Sequence, residues 1–322
     1  MRLRQRSAGR AGFLRLLGTV AGLGLLVYLL SQQGWQEILY SVRQISLGTF
    51  LFVLGLATLS RFAVTGRWWS LIRGARLDFS FSRILRIAYS GFFASNFLPT
   101  SVGGDIVRLA GVVELDSGRT DYVSSIAIDR VIGALGMAML LPLGAALVLA
   151  GPAVQVFGRF NATRLPSFSV ALANGARRLR GKIVHVYREV VRAFRPWKAR
   201  PKALLTALGF AWMHMLIRFT SIWILFAAMG EELAYWQIAG LWSFVYFITL
   251  FPISINGIGI QEVSAGLVYS QLAGVTVGSA LTVALLIRTA DLLASLPGSL
   301  SLPGMLTHRE AQVPAEPDDV TA

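Results

Sequence analysis

Two apolar stretches of this 322-residue chain are broken near their centres by the same short polar pattern. In the second, Phe251–Glu262 (FPISINGIGIQE) separates the apolar runs Trp236–Leu250 and Val263–Leu272. Each run is shorter than the roughly 20 residues that a spanning helix needs. Proline and glycine disfavour a continuous helix, and hydrocarbon tolerates such a break only where it is buried in protein or lines a water-filled cavity. We therefore expect a re-entrant hairpin of two half-helices at about 236–272.

The pattern also occurs earlier, in Phe97–Arg108 (FLPTSVGGDIVR). The matching positions of the two breaks are Pro99 with Pro252, Ser101 with Ser254, and Gly104 with Gly257. Short segments interrupted at corresponding places in two halves of a chain are typical of transporter binding sites. Proline and glycine are also frequent in membrane helices without any site, which is the alternative interpretation. We expect a first re-entrant hairpin at about 84–115.

The composition indicates an integral membrane protein. Hydrophobic residues make up 55% of the chain and charged residues 14%, whereas soluble domains carry about 25% charged residues. The apolar runs are continuous rather than short and alternating, which favours helices over a membrane barrel. We therefore predict an all-α, polytopic membrane helical bundle, with a single integral membrane domain over residues 16–301.

The net charge of +14 would suggest nucleic acid as a partner of a soluble chain. Here the arginines flank apolar runs, so anionic lipid headgroups and the positive-inside rule explain the charge, and we expect no nucleic acid. The chain has no cysteine and only three scattered histidines, so we expect no metal and no cofactor.

Charge also predicts the topology. Residues 1–15 hold five arginines and no acid, so the N-terminus should be cytoplasmic, and the polar tail at 302–322 should be disordered and cytoplasmic. The segment 177–202 reads as a basic amphipathic surface helix. The predicted location is the inner (cytoplasmic) membrane, with these spans: Leu16–Ser31, Leu47–Leu71, Val123–Ala150, Lys202–Met229 and Val275–Leu300.

The number of crossings between 122 and 176 stays open, because either Phe157–Ala176 or a hairpin around Pro142 would satisfy the charge pattern. With these orientations, the first half of the chain crosses inward, forms a cytoplasmic hairpin and crosses outward. The second half crosses outward, forms an external hairpin and crosses inward. The predicted architecture is thus two inverted repeats, whose tips approach the membrane midplane from opposite sides.

Ionisable residues within the apolar runs are the candidate binding groups, because a charge at the membrane centre usually faces a cavity or a partner. The arginines are Arg61, Arg130, Arg218 and Arg288, and the acids are Asp105, Asp129, Glu262 and Asp291. Arginine binds phosphate in a bidentate manner and stays protonated. Free N–H groups of half-helices beginning at Gly104 and Gly257 would also suit an anion. Salt bridges or snorkelling to the interface are the alternative roles of these arginines.

Local spacing predicts some partners. Neighbours on a helix do not face one another, so Asp129 and Arg130 should each have another partner, whereas Arg288 and Asp291 can pair at i, i+3. Arg61 and Arg218 have no acid within four residues, which favours a cavity. Trp68 and Trp69 are predicted interface anchors, and the amides of Asn96 and Asn256 could bind hydroxyls or cap the broken helices.

Three segments resemble the lysylphosphatidylglycerol synthase transmembrane family, whose members are flippase-like: NFLPTSVGGDIVRLAGV at Asn96–Val112, DRVIGAL at Asp129–Leu135, and FPISINGIGIQEVSAGLV at Phe251–Val268. The resemblance extends over about Leu16–Leu300 and implies that Arg108 occupies a motif position. The longer family members add a soluble aminoacyl-transferase domain, which is not expected here. The candidate substrate-binding residues are Arg61, Asn96, Ser101, Gly104, Asp105, Arg108, Arg130, Arg218, Ser254, Asn256, Gly257, Glu262 and Arg288.

The leading hypothesis is a non-enzymatic, flippase-like transporter that moves an anionic, phosphate-bearing or lipid-linked headgroup across the membrane. One alternative is a membrane glycosyl- or phosphotransferase acting on a lipid carrier, although the carboxylates of the loops show no diagnostic spacing. Another is a non-catalytic partner of a lipid-modifying enzyme, bound through the basic segment 177–202.

Overall fold

The computed structural model describes residues 19–28, 31, 35–98, 103–113, 119–150, 194–250 and 254–301, and these parts of the chain form helices and turns without a strand. The predicted all-α fold is confirmed. The helices are α1 (Thr19–Tyr28), α2 (Trp35–Gln44), α3 (Leu47–Gly74), α4 (Phe81–Ser95), α5 (Gly103–Val113), α6 (Arg119–Ala138), α7 (Leu141–Ala150), α8 (Pro201–Ala228), α9 (Tyr235–Leu250), α10 (Ile260–Ala273) and α11 (Val277–Ser295). Short 3-10 turns occupy Arg195–Ala199, Ile255–Gly257 and Leu296–Leu300.

Among the described residues, four stretches are long and apolar enough to cross a membrane: Leu47–Gly74, Asp121–Leu147, Pro201–Ala228 and Val277–Leu300. They agree with four of the predicted spans. The second of them comprises α6 and most of α7, with a turn at Met139–Leu140 between the two helices. Of the predicted span Leu16–Ser31, the structure describes a ten-residue apolar helix, Thr19–Tyr28, and Ser31.

Each of the two predicted breaks lies between the two helices of a short helix pair. Helix α4 ends at Ser95 and α5 begins at Gly103, and the two helices contact each other. In the same way α9 ends at Leu250, α10 begins at Ile260, and these two helices also pack together. Described residues therefore follow the order span, helix pair, span twice along the chain.

Helices α3 and α8 form the most extensive helix contact of the described bundle. Small residues bring the two backbones close: a Cβ on Gly66 would lie 2.7 Å from the Phe210 ring, and Gly74 approaches Ala203. Close approach of this kind is how helices associate in lipid, where apolar surface alone gives little driving force. Helices α4, α6, α9 and α11 pack against this α3–α8 pair.

The helix pairs lie against the long helices. Helix α4 packs on the C-terminal turn Leu296–Leu300 and on α3, while α9 packs on α7. Helix α11 contacts α3, α8 and α10. Helix α1 reaches the second break, where the Thr19 hydroxyl accepts a hydrogen bond from the backbone N–H of Ile255 at 2.7 Å.

Trp68 corrects one prediction. Its side chain is fully buried rather than at an interface, and its indole N–H donates to the Ser125 hydroxyl at 3.3 Å. The predicted N-terminus 1–15, segment Phe157–Ala176, most of the surface helix 177–202, the tail 302–322 and Ser101 lie outside the described residues.

Candidate functional site

A buried ion network lies where α3, α5 and α6 meet. The Asp129 carboxylate is 2% exposed and accepts from two arginines: Arg67 Nε at 2.6 Å and both terminal nitrogens of Arg108 at 3.3 Å. Gly133, one turn after Asp129, leaves room for the Arg67 guanidinium, since a Cβ there would lie 3.0 Å from Nη1. Buried charges persist in apolar surroundings only when they are paired and hydrogen-bonded.

Asp105 extends this network through α5. It accepts from Arg108 at 3.1 Å and forms an ion pair with Arg130 of α6. The Arg108 guanidinium also lies 4.0 Å from the centre of the Trp68 ring, a cation–π contact. Arg108 is therefore held on three sides, while Arg130 is about half exposed.

A second cluster is centred on Asp291 of α11. One carboxylate oxygen lies 2.9 Å from Arg218 and 3.3 Å from Arg61, so α3, α8 and α11 meet at a single acid. Arg61 also donates to the Asp291 backbone carbonyl at 3.2 Å and lies over the Phe92 ring. Its Nε is buried without a hydrogen-bond partner among the described residues.

A third cluster of charged side chains lies at the second break. Glu262 is 1% exposed; it accepts from the backbone N–H of Gly259 at 2.8 Å and forms an ion pair with Arg288. Arg288 also donates to the Asn256 carbonyl and to Gln261 Oε1, at 3.3 and 3.2 Å. Two polar groups of the irregular backbone, the Gly259 N–H and the Asn256 carbonyl, are thereby hydrogen-bonded by side chains, as burial in lipid requires.

The two breaks are joined by an amide pair. Asn256 Nδ2 donates to Asn96 Oδ1 at 3.3 Å, and Asn96 Nδ2 donates to the Ser295 hydroxyl at 2.9 Å. Asn96 is the residue that follows α4, and Asn256 lies in the 3-10 turn before α10, with φ of 49°. The two helix-pair tips and the end of α11 therefore share one hydrogen-bonded junction.

A cavity of about 640 Å³, called the central cavity here, lies between α3, α6, α8 and α9. Four arginines and His214 line it, with no carboxylate among the lining residues. The rest of its wall is largely apolar. The lining residues are Arg61, Val64, Arg67, Arg130, Val131, Gly133, Ala134, Leu135, Met137, Ala138, His214, Met215, Arg218, Tyr246, Phe247 and Leu250.

A smaller cavity of about 170 Å³, called the tip chamber, lies at the junction of the two breaks. Its lining is polar throughout and consists of Arg61, Ser95, Asn96, Asn256, Gln261, Arg288 and Asp291. Arg61 lines both cavities. A ligand bound to this guanidinium could therefore extend into a polar space on one side and a largely apolar one on the other.

The chain matches a known protein family over most of its length. A family model described as the lysylphosphatidylglycerol synthase TM region matches residues 15–298. The chain belongs to this family. No curated protein matches the chain. Membership in the lysylphosphatidylglycerol synthase transmembrane family makes it a membrane protein linked to lipid modification or transport.

The structure places six of the thirteen candidate residues of this family member in the walls of the two cavities. Arg61, Asn96, Asn256 and Arg288 line the tip chamber, and Arg61, Arg130 and Arg218 line the central cavity. Asp105, Arg108 and Glu262 lie behind these cavities as ion-pair partners. Ser254 is buried, and its hydroxyl has no partner among the described residues.

Two predictions about local geometry are wrong. Arg288 and Asp291 do not pair at i, i+3; Arg288 binds Glu262 and Asp291 binds the arginines of α3 and α8. Gly257 is not a helix N-terminus, because α10 begins three residues later, where Glu262 occupies the end that an anion would use. Gly104, the second residue of α5, packs against the Gly91 carbonyl.

The prediction that Asp129 and Arg130 have separate partners is confirmed. Sequence reasoning missed Arg67, Gln261 and His214, of which His214 bonds the Ser60 hydroxyl at 2.6 Å. Arg67 stands beside Trp68 and Trp69, which is also the pattern of a membrane interface. Its burial depends on a partner 62 residues away, which no local spacing reveals.

Proposed function

We propose that this chain is a flippase-like transporter that moves lipids with a phosphate-bearing headgroup across the cytoplasmic membrane. The observation that carries the proposal is the lining of the central cavity, whose described residues include four arginines and no carboxylate and are otherwise largely apolar. Guanidinium groups bind phosphate oxygens through paired hydrogen bonds, and the apolar wall suits the part of a lipid next to its headgroup. We expect anionic membrane lipids to be its partners.

The depth of the charges supports transport. Arg61 lies at the middle of the 28-residue helix α3, about 20 Å from either end at 1.5 Å per residue. A charge at the bilayer centre costs roughly 2.5–3.5 kcal/mol on insertion scales, so such residues usually have a function. Arg218 and Asp291 lie beside it on two other candidate spans. A polar site at this depth is accessible to a headgroup that crosses the membrane.

The proposed topology is that of two inverted repeats. The pairs α4–α5 and α9–α10 would enter as re-entrant hairpins from opposite faces, because an odd number of spans separates them in this arrangement. Both termini would be cytoplasmic. In this arrangement the contact between Asn96 and Asn256 would lie near the midplane, where tips that enter from opposite faces meet.

We propose transport rather than an enzymatic role because each acid of the site holds an arginine, and among the described residues of the site only Asp291 keeps a carboxylate oxygen without a hydrogen bond. Asp129 accepts from two arginines, Asp291 from two others, and Glu262 from Arg288 and a backbone N–H. A carboxylate that acts as a base or binds a metal needs a free lone pair directed at the reacting group. The geometry therefore favours arginine-based anion binding over transferase chemistry.

Reconstitution tests the proposal. Purified protein in vesicles that contain a trace of fluorescent phosphatidylglycerol should accelerate its movement between leaflets, measured by dithionite quenching of the outer leaflet. Arg61→Ala, which removes the guanidinium shared by both cavities, should lower this rate at least about tenfold, equivalent to ~1.4 kcal/mol.

Arg43→Ala is the control, because it makes the same change on an exposed residue of α2 away from both cavities. It should leave the rate unchanged. Equal rates for the two variants, both folded by melting temperature, would contradict the proposal, as would wild-type vesicles no faster than protein-free vesicles.

A further inference from the structure

Arg67 offers donors to the central cavity that no described residue uses. It lines the cavity and forms its ion pair with Asp129 through Nε alone, at 2.6 Å. Its two terminal nitrogens make no hydrogen bond to a described residue, and neither is fully buried. The guanidinium is held in place, because Asp129 binds one edge and Gly133 packs close to Nη1. Arg67 therefore presents two donor nitrogens in a fixed position.

The Tyr246 hydroxyl is another unused donor of the same cavity. Tyr246 belongs to α9 and lines the central cavity, and its ring packs edge-on against Phe247, with ring centres 5.4 Å apart. Its hydroxyl makes no hydrogen bond to a described residue and is not fully buried. The charged groups close enough to interact with it are Arg67 and Arg130, which are positive, and Asp129, which is negative.

Two unused donors in one wall need an acceptor. A hydroxyl that leaves water without gaining a new hydrogen bond destabilises the folded chain, so such a group usually has a partner or faces a ligand. Anionic oxygens are the acceptors that a guanidinium binds most strongly. A phenol donates one further hydrogen bond without adding a charge. Because the described lining residues of the cavity include no carboxylate, these donors suit an anion with several oxygens.

We propose that Arg67 and Tyr246 form an anion-binding subsite of the central cavity, in which the Tyr246 hydroxyl and the terminal nitrogens of Arg67 bind phosphate oxygens of a lipid. The proposal rests on the lipid-handling role proposed above. The exposed residues of the cavity lining, Arg130, Leu135 and Leu250, lie on α6 and α9. Tyr246 therefore stands on one of the two helices that border the opening of the cavity.

Tyr246→Phe tests the proposal, because it removes the hydroxyl and keeps the ring that packs on Phe247. Isothermal titration of the full chain in detergent micelles would compare dioctanoyl phosphatidylglycerol with dioctanoylglycerol, which has the same chains and no phosphate. The variant should bind the phospholipid about fivefold more weakly than wild type, equivalent to ~1 kcal/mol, because one hydrogen bond to a charged group is lost. Its affinity for dioctanoylglycerol should change by less than about 1.5-fold, because this ligand has no phosphate oxygen to lose.

Tyr40→Phe is the matched control, since it removes a hydroxyl from an exposed tyrosine of α2, away from the cavity. It should leave both affinities unchanged. The melting temperature of Tyr246→Phe should remain within about 2 °C of wild type, because the hydroxyl that is removed has no partner among the described residues. An unchanged affinity for phosphatidylglycerol in Tyr246→Phe, or an equal loss for both ligands, would overturn the proposal.

Inorganic phosphate distinguishes a lipid from a free anion as the occupant. It should compete at least about tenfold more weakly than the short-chain phospholipid, because it buries no apolar surface; equal competition would overturn a lipid as the occupant. Vesicle measurements separate the subsite from the proposed transport. The predicted loss of affinity in Tyr246→Phe, with wild-type protein that moves no lipid, would support the subsite and overturn transport. Movement by wild type, with unchanged affinity in Tyr246→Phe, would support transport and overturn the subsite.

Discussion

At the scale of single residues, the protein depends on one buried and one partly buried carboxylate, each of which holds two arginines from different helices. Asp129 links Arg67 of α3 and Arg108 of α5, and Asp291 links Arg61 of α3 and Arg218 of α8. Breaking a buried pair is more costly than replacing it, because the remaining charge is left without compensation. These acids therefore stabilise the positions of the arginines that line the central cavity.

Asp129→Asn tests the role of such an acid. The amide keeps the size of the side chain but leaves Arg67 and Arg108 without their shared charge, so the apparent free energy of unfolding should fall by about 3–5 kcal/mol. Titration with SDS from mixed micelles measures this change. Glu232→Gln, the same chemical change at an exposed position, should alter it by less than about 0.5 kcal/mol. A loss equal to that of the control would show that the pair adds no stability.

Prediction from sequence was correct for side chains whose partners follow from the geometry of one helix. It was wrong for side chains whose burial depends on contacts with distant parts of the chain. The separate partners of Asp129 and Arg130 follow from their adjacency on one helix. The burial of Trp68 does not, because it results from Arg108 and Ser125 on helices that lie far along the chain. Arg67 was missed for the same reason. Its neighbours Trp68 and Trp69 are typical of a membrane interface, while its partner Asp129 lies far along the chain.

At the scale of helices, close backbone contacts hold the broken pairs together. In the first pair, a Cβ on Gly104 of α5 would lie 2.6 Å from the Gly91 carbonyl oxygen of α4. The two backbones are in direct contact here, so a side chain at Gly104 would push the two short helices apart. The contact brings Asp105 and Arg108, which lie one and four residues after Gly104 on α5, to the ion network with α3 and α6.

Gly104→Ala should therefore destabilise the protein by about 1–3 kcal/mol, the usual cost of overpacking. Thermal unfolding in detergent measures the effect as a lower melting temperature. Gly209→Ala is the matched control, since a Cβ at this helical position of α8 meets nothing within 4 Å. It should be neutral or stabilising by up to about 1 kcal/mol, because alanine is the better helix former. Equal melting temperatures for both variants would contradict the close contact.

The helix breaks were predictable because Pro and Gly act locally, and both occur where the apolar runs are interrupted. The start of α10 was not, because it depends on the Glu262 side chain, which caps Gly259 and at the same time binds Arg288 from α11. Helix ends that are set by such caps can be placed only when the cap geometry is known.

At the scale of the whole molecule, the proposed transport site requires the two helix pairs to enter the membrane from opposite faces. The loop between α3 and α4 includes Asp78, and the loop between α8 and α9 includes Glu232. In the proposed topology the first loop is cytoplasmic and the second is outside. This arrangement brings Asn96 and Asn256 together near the midplane, beside the shared Arg61.

Cysteine labelling measures this orientation directly, because the chain contains no natural cysteine. Single variants Asp78→Cys and Glu232→Cys would be treated with a membrane-impermeant maleimide in intact and then in permeabilised bacterial spheroplasts. We predict labelling of Glu232→Cys in intact spheroplasts and of Asp78→Cys only after permeabilisation. Labelling of both loops from the same side would contradict the inverted arrangement, and with it the midplane site on which the proposed transport depends.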